Sequence, residues 1–204
     1  MSASLDIGVG GVAARAGDHI CGFFTGSRGR DEMLVPFMRA GLQAGEKCIC
    51  LVDSPDPGAV AASICTAAPT PDQAEQLDIQ SATGAYVRDG LFAAAGMIDF
   101  LDETMAEVFE DGRFTSARAA GDMSWVLKRP PGAEEFFAYE SAINHFAPRY
   151  PQVLLCLYDL DQFGASMLME VIKTHPKMLL EGMVVENPYY VAPDEYQAVE
   201  PSYE

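Results

Sequence analysis

Histidine and cysteine side chains occur in short apolar stretches of the sequence, where imidazole and thiolate groups could bind a soft metal ion. His19 and Cys21 are two residues apart, as are Cys48 and Cys50, so each pair shares one face of a strand. Such ligands favour zinc or copper. The chain lacks CxxC and HxxxH spacings, and packed thiols with a hydrogen-bonded histidine fit equally well. The sequence therefore predicts no bound metal. If a metal is bound, His19 and Cys21 are the expected ligands.

The segment after the first predicted strand occupies the position of a phosphate-binding loop. Residues 25–32 are Thr-Gly-Ser-Arg-Gly-Arg-Asp-Glu. They lack the Gly-Lys-Ser/Thr that would bring a lysine to the phosphates and a hydroxyl to magnesium. Asp31 and Glu32 would also repel a triphosphate. The sequence therefore predicts no nucleotide, and it leaves any other cofactor unknown.

Aromatic and polar residues at predicted strand ends are candidates for ligand binding. Tyr158 and Asp159 follow the apolar run of residues 153–157, and Trp125, the only tryptophan, follows Asp122. An aromatic side chain with a polar group can line a pocket for a small organic molecule.

Tyr139 and Glu140 are adjacent on a predicted helix. Adjacent helical residues do not face each other, so at most one of the two is expected to point inward.

The order of apolar runs and helical periodicities predicts the fold class. Strands are predicted at residues 19–25, 47–52, 77–82, 116–126 (with a loop), 152–159 and 178–185, with helices between them. This alternation predicts an α/β, three-layer architecture with a mostly parallel central sheet and helices on both faces. Ligands of such sheets bind beyond the carboxyl ends of the strands, so we expect a site at that rim.

The length of 204 residues is that of one domain. We expect a mobile N-terminal segment at residues 1–17, a single domain at residues 18–193 and an acidic tail at residues 194–204.

The net charge of −17, with only 13 Lys and Arg, argues against direct binding of nucleic acid or of an anionic membrane. No apolar stretch is long enough to span a bilayer, and the N-terminus does not resemble a signal peptide. Cysteines in apolar strands are typical of a reducing compartment, so the expected location is cytoplasmic.

Seven short motifs in this order resemble the MEDS domain, a sensory domain of DcmR-like regulators and of methanogen and methylotroph signalling proteins. The resemblance covers about residues 17–193. The motifs are His19-Ile20-Cys21, Gly45-Glu46-Lys47-Cys48, Gly121-Asp122-Met123-Ser124-Trp125, Tyr139-Glu140, Cys156-Leu157-Tyr158-Asp159, His175-Pro176 and Asn187-Pro188-Tyr189-Tyr190.

The resemblance implies a RecA/KaiC-like fold without a Walker A motif, in agreement with the altered loop at residues 25–32. It also implies a non-catalytic module of signal transduction and transcription regulation that binds a simple hydrocarbon derivative. Asp122 occupies a position where the family is expected to prefer glutamate.

We therefore expect a sensor of a small, largely apolar organic ligand, which relays binding to a regulatory partner such as a kinase, an anti-sigma factor or a transcription factor. Residues 83–92 are the candidate lid. The oligomeric state stays open, and a homodimer is one option. The predicted ligand-binding residues are His19, Cys21, Phe24, Glu32, Tyr86, Asp122, Trp125, Tyr139, Glu140, Cys156, Tyr158 and Asp159.

Two alternatives stay open at this point. One is a small-molecule enzyme that depends on a metal or on Cys21 or Cys156 with His19. The other is an acidic scaffold that binds a basic protein partner.

Overall fold

The structure is a computed structural model that describes residues 4–203. Its strands are β1 Ser4–Leu5, β2 Gly10–Gly11, β3 Ala14–Arg15, β4 His19–Phe24, β5 Lys47–Leu51, β6 Leu77–Gln80, β7 Ala117–Asp122, β8 Gln152–Asp159, β9 Lys177–Leu180 and β10 Met183–Glu186. Its α-helices are α1 Gly26–Ala44, α2 Pro57–Cys65, α3 Pro71–Gln76, α4 Ala82–Tyr86, α5 Ala94–Glu110, α6 Phe136–Phe146 and α7 Ala165–Thr174. Short 3-10 helices lie at Met123–Lys128, Ala133–Glu135 and Ala147–Arg149.

The described strands other than β1 and β3 form a central sheet with the order β2-β10-β9-β4-β8-β7-β5-β6. All strands from β9 to β6 in this order are parallel, which confirms the predicted architecture. β10 runs antiparallel to β9 at one side, and β2 extends the sheet beyond it. The carboxyl ends of β4, β5, β7 and β8 therefore lie at one rim.

Successive residues of the central strands face two separate apolar cores. On β8, Cys156 and Tyr158 face the core that α4, α5, α6 and α7 cover, called here the α6 side. Leu155 and Leu157 face the core that α1 and α2 cover, the α1 side. This burial on both faces explains why the strand lacks polar alternation.

The predicted strand at residues 152–159 and helix at residues 165–174 coincide with β8 and α7. The last predicted strand, at residues 178–185, is instead the hairpin of β9 and β10. Glu181 and Gly182 have φ angles of 48° and 75°, and these left-handed conformations turn the chain.

Two local expectations about helices differ from the structure. Pro36, expected in a first turn, lies inside α1, which already begins at Gly26. Burial of Leu34 and Phe37 against the sheet keeps this helix continuous. Tyr86, expected in a loop, ends α4. None of the helices in residues 4–203 is long and apolar enough to cross a membrane.

Both terminal segments contact the domain more closely than the sequence predicts. Ile7 and Ala14 are buried, although residues 1–17 were expected to be mobile. In the expected tail at residues 194–204, Tyr196 and Tyr203 pack against the α6 side. Residues 1–3 and Glu204 of these segments lie outside the described residues. Such sparse apolar anchors are hard to recognise in a polar or glycine-rich sequence.

A buried ion pair on the α1 side joins Arg118 of β7 to Glu46, which lies in the turn between α1 and β5. Arg118 and Glu46 are 1% and 3% exposed, and the Arg118 Nε donates to the Glu46 carboxylate at 2.5 Å. The guanidinium also donates to the carbonyl oxygens of Phe37 and Asp6. Arg118 thereby links the sheet, the helix and the N-terminal segment.

We expect Arg118→Met to lower the free energy of unfolding by about 3–5 kcal/mol, because it leaves the Glu46 carboxylate buried without its partner. Denaturant unfolding measures this loss. Arg113→Met is the matched control, since Arg113 pairs with Glu75 at the surface, where such pairs contribute about 0–1 kcal/mol. Equal losses in the two variants would contradict the role of the Arg118 pair.

Candidate functional site

The structure divides the predicted site residues into an interior group, a rim group and one surface residue. The interior group lies on the α6 side and comprises His19, Cys21, Tyr86, Trp125, Tyr139, Glu140, Cys156 and Tyr158. Phe24, Asp122 and Asp159 lie at the rim. Glu32 is exposed and pairs with Arg28 on the surface of α1, so it does not reach either group. The predicted residues therefore do not form a single group at the rim.

Four buried side chains of the α6 side bring their metal-ligating atoms together. His19, Glu140, Cys156 and His175 each offer one such atom, and these atoms all lie within 4.8 Å of one another. We call these residues the His-Glu-Cys-His cluster. His19 Nε2 is 3.3 Å from Cys156 Sγ and 3.5 Å from Glu140 Oε2, which is 3.2 Å from His175 Nε2.

The outer nitrogen of each imidazole has its own partner. His175 Nδ1 is 2.7 Å from the carbonyl oxygen of Val171, near the end of α7. His19 Nδ1 is 3.2 Å from Oδ1 of Asn144, whose amide nitrogen donates to three carbonyl oxygens and so turns Oδ1 toward His19. Both Nδ1 atoms therefore carry hydrogen, and both Nε2 atoms direct their lone pairs into the cluster when the rings are neutral.

Burial governs the charges of this cluster. It lowers the pKa of His19 to about 4, and the neighbouring His175 acts in the same direction. Burial also opposes ionisation of Glu140, but the contacts with His175 and His19 outweigh it and hold the pKa of the carboxyl below its usual range. The cluster therefore combines a buried carboxylate with at least one neutral imidazole.

Tyr139 and Glu140 are both buried, which corrects the expectation that only one of them faces inward. Helix α6 packs against the sheet and against α5 and α7, so a wide arc of its surface is covered. Glu140 faces the imidazoles, while the ring of Tyr139 meets those of Tyr86 and Phe92 edge-on.

Aromatic rings pack beside the cluster around Trp125. Tyr86 stacks on the indole with 4.9 Å between ring centroids, and Phe92 contacts it at 4.6 Å. The buried Trp125 Nε1 and the Tyr158 hydroxyl have no hydrogen-bond partner among residues 4–203. A buried polar atom without a partner usually costs about 1–3 kcal/mol, so both atoms could bind a further molecule.

A small apolar cavity lies between β7 and the helices α5 and α6. Its volume is about 30 Å³, and its lining is Leu51, Tyr86, Leu101, Ala119, Ala120, Gly121, Tyr139, Ile143, Leu154, Leu155 and Cys156. The cavity exists because β7 presents the small residues Ala119 and Gly121 toward the α6 side, and the Tyr86 hydroxyl lies against Gly121. Cys156 belongs to both the cavity and the His-Glu-Cys-His cluster.

Tyr86 also borders a groove of about 170 Å³ at the surface, together with Arg88, Leu91 and Met97 among others. The chain between Tyr86 and Phe92 reverses at Asp89 and Gly90, and the side chain of Leu91 is about half exposed. Tyr86 therefore borders both the surface groove and the cavity.

The rim holds a polar cleft of about 350 Å³ that Asp53, Asp122 and Asp159 border together with Phe24 and Lys128 among others. Asp159 accepts hydrogen bonds from the backbone of Gly26 and Asp161 and from Gln162, and Asp53 accepts from Lys128. These carboxylates hold the loops of the rim in place. Their charge makes the cleft a poor site for an apolar molecule.

The sequence prediction missed His175 and Asn144 and misplaced Cys21. The structure confirms that His175 bonds a carbonyl at the end of its helix, but its other nitrogen enters the cluster. Cys21 contacts the carbonyl oxygen of Lys177, so it is not the thiol that meets His19. Asn144 lies one helical turn after Glu140, but this spacing alone does not indicate a contact with His19, and no sequence pattern indicates His175.

Comparisons with known proteins agree with this fold. The structure resembles a KaiC-like protein from the hyperthermophilic archaeon Pyrococcus horikoshii OT3, with a TM-score of 0.58 and 8% identity over 87% of this chain and 80% of that one. The fold is thus RecA/KaiC-like, and residues 25–32 carry no Walker A motif.

The model of the MEDS family, described as "MEthanogen/methylotroph, DcmR Sensory domain", matches residues 18–176, and the chain belongs to this family. It is 30% identical over 169 residues to the transcriptional repressor DcmR of Methylorubrum extorquens. The match covers 82% of this chain and 61% of the length of that repressor.

The buried thiols have the properties of core residues. Burial raises the pKa of Cys21 and Cys156 well above the usual range, and the charge of Glu140 adds to this. Burial likewise raises the pKa of Cys48 and Cys50 to about 12. A thiol needs a lowered pKa to act as a nucleophile, so these thiols do not favour cysteine-based catalysis.

We expect native alkylation to modify the half-buried Cys65 first and the buried thiols far more slowly. A pKa of about 12 in place of 9.0 leaves roughly 1000-fold less thiolate, the reactive form. Mass spectrometry over a time course measures the order of labelling, and Cys65→Ser should remove the fast phase. Rapid labelling of Cys21 or Cys156 would support the cysteine-dependent enzyme instead.

Proposed function

We propose that this chain is a non-catalytic sensory domain that binds a small, largely apolar organic molecule in the cavity beside β7. The observation that carries the proposal is an apolar cavity beside β7 that shares the side chain of Tyr86 with a groove at the surface. On the scale of about 10–15 Å³ for one enclosed water, the cavity of about 30 Å³ accepts a molecule of roughly two or three heavy atoms. The rim cleft is less suited because carboxylates border it.

The segment at residues 83–92 is the proposed lid. It inserts Tyr86 and Phe92 into the core and exposes Leu91 at its turn. A ligand in the cavity contacts Tyr86, so occupancy changes the balance between the inserted and the withdrawn lid. The ligand shifts this balance only as far as its affinity for the two states differs.

A regulatory protein partner reads the position of the lid in this proposal. The similar protein DcmR is named as a transcriptional repressor, which supports a role in transcription regulation. The exposed turn around Leu91 and the surface groove offer the partner an apolar contact that changes when Tyr86 moves. The acidic surface does not favour a direct role of this domain in nucleic-acid binding.

We expect Ala119→Val to abolish binding in the cavity, because the added methyl groups occupy its volume. The measurement is the affinity for halogenated methanes, short alcohols and short alkanes by calorimetry, with an expected loss of at least about tenfold, or ~1.4 kcal/mol. Ala117→Val is the matched control, since Ala117 lies two residues earlier on the same face of β7 and does not line the cavity. If Ala119→Val retained wild-type affinity, the cavity would not be the site.

We expect Tyr86→Ala to speed the exchange of a bound molecule by about tenfold or more, because the barrier between groove and cavity is removed. Stopped-flow fluorescence of Trp125, on which Tyr86 stacks, reports the exchange. Leu127→Ala, a change at the rim cleft, serves as the control. Exchange rates equal to those of the wild type in Tyr86→Ala would contradict the proposed lid.

A further inference from the structure

The His-Glu-Cys-His cluster brings together four buried metal-ligating atoms. The side chains around them carry too few hydrogens to give each of these atoms a hydrogen bond. His19, Glu140 and His175 are at most 1% exposed, and Cys156 is 6% exposed. Both Glu140 oxygens and His175 Nε2 lack an aligned hydrogen bond from any described residue, although Oε2 and Nε2 are only 3.2 Å apart. When both imidazoles are neutral with hydrogen on Nδ1, lone pairs of the imidazoles and of the carboxylate face one another, and the Cys156 thiol, 3.3 Å from His19 Nε2, carries the one hydrogen among these four groups.

We propose that this cluster binds one divalent transition-metal ion, with Zn²⁺ as the best match, through His19 Nε2, His175 Nε2, Cys156 Sγ and a carboxylate oxygen of Glu140. The proposal does not depend on ligand binding in the cavity. Two imidazoles, a thiolate and a carboxylate form a donor set that suits tetrahedral zinc.

The distances between the donor atoms are close to those of a tetrahedral site. Metal–ligand bonds of about 2.0–2.3 Å place the ligand atoms of a tetrahedron about 3.3–3.8 Å apart. The observed separations of 3.2, 3.3 and 3.5 Å match or nearly match this range. The widest pairs, at up to 4.8 Å, require an inward shift of about one ångström.

The charges of a filled site also balance. A divalent ion cancels the carboxylate of Glu140 and the thiolate of Cys156, so the buried cluster becomes neutral. The metal would displace the thiol proton, which burial otherwise retains. If one extra proton entered the cluster in place of the metal, it would form an imidazolium–carboxylate pair and leave the thiol protonated.

Neighbouring oxygen atoms orient the two imidazoles in the way that is usual for histidines bound to a metal. Metal-bound histidines usually donate their second N–H to a carbonyl or a carboxylate. Here Val171 O accepts from His175, and Asn144 Oδ1 accepts from His19. Because Cys156 also lines the cavity, the metal would lie behind one wall of the proposed sensory pocket.

The first test uses the wild-type chain, stripped with a chelator and titrated with Co²⁺. We expect one equivalent to bind, with the visible absorption of tetrahedral cobalt and a thiolate-to-cobalt charge-transfer band. Zn²⁺ should displace the cobalt and raise the melting temperature. Titration without a thiolate band, or binding of less than a stoichiometric amount, would overturn the proposal.

Two variants locate the site. Cys156→Ser should abolish the thiolate band and weaken zinc binding by at least about 100-fold, since the loss of an orienting partner alone usually costs about 10- to 100-fold. Asn144→Ala keeps all four donors and should weaken binding within that smaller range. Cys50→Ser, a buried thiol on the α1 side, is the matched control and should keep the band. An unchanged spectrum in a folded Cys156→Ser variant would overturn the proposal.

Discussion

The buried carboxylate of Glu140 imposes the strictest physical condition on this domain. A charge at 0% exposure is tolerated only when a partner of opposite charge or several hydrogen bonds replace water. Glu140 lies on α6, while β4 and the end of α7 bring the imidazoles of His19 and His175 within 3.5 Å of it. Neutral rings with hydrogen on Nδ1 turn lone pairs toward the carboxylate, so its charge is balanced only by a protonated ring or, in the proposed site, by a metal ion.

Each face of the sheet buries one carboxylate, and the two faces compensate its charge in different ways. On the α1 side, Arg118 and Glu46 neutralise each other, and the guanidinium also donates hydrogen bonds to two carbonyl oxygens. On the α6 side, the donors around Glu140 leave lone pairs without hydrogens. The first arrangement is complete within the described chain and serves stability. The second is incomplete, and this difference separates a structural ion pair from a candidate binding site.

The sequence predicted the architecture well because the parallel strands are buried on both faces and so appear as continuous apolar runs. It also named three of the four members of the His-Glu-Cys-His cluster through their residue types, and only His175 was absent from the predicted set. It placed them wrongly because the rule for strand ends concerns the rim, whereas His19 starts its strand and Glu140 comes from a helix. His175 and Asn144 were missed because their role depends on packing of α6 against α7, which no local pattern encodes. The same limit hid the anchors of the terminal segments.

The small side chains of β7 bear on how such domains can diversify. Ala119 and Gly121 set the width of the space beneath Tyr86 without taking part in the hydrogen bonds of any loop. In the proposed sensory role, a substitution at Ala119 would alter which molecules fit while the sheet register stays the same. Selectivity would thereby be uncoupled from folding, and a lineage of these proteins could acquire new chemical stimuli through single exchanges at one strand position.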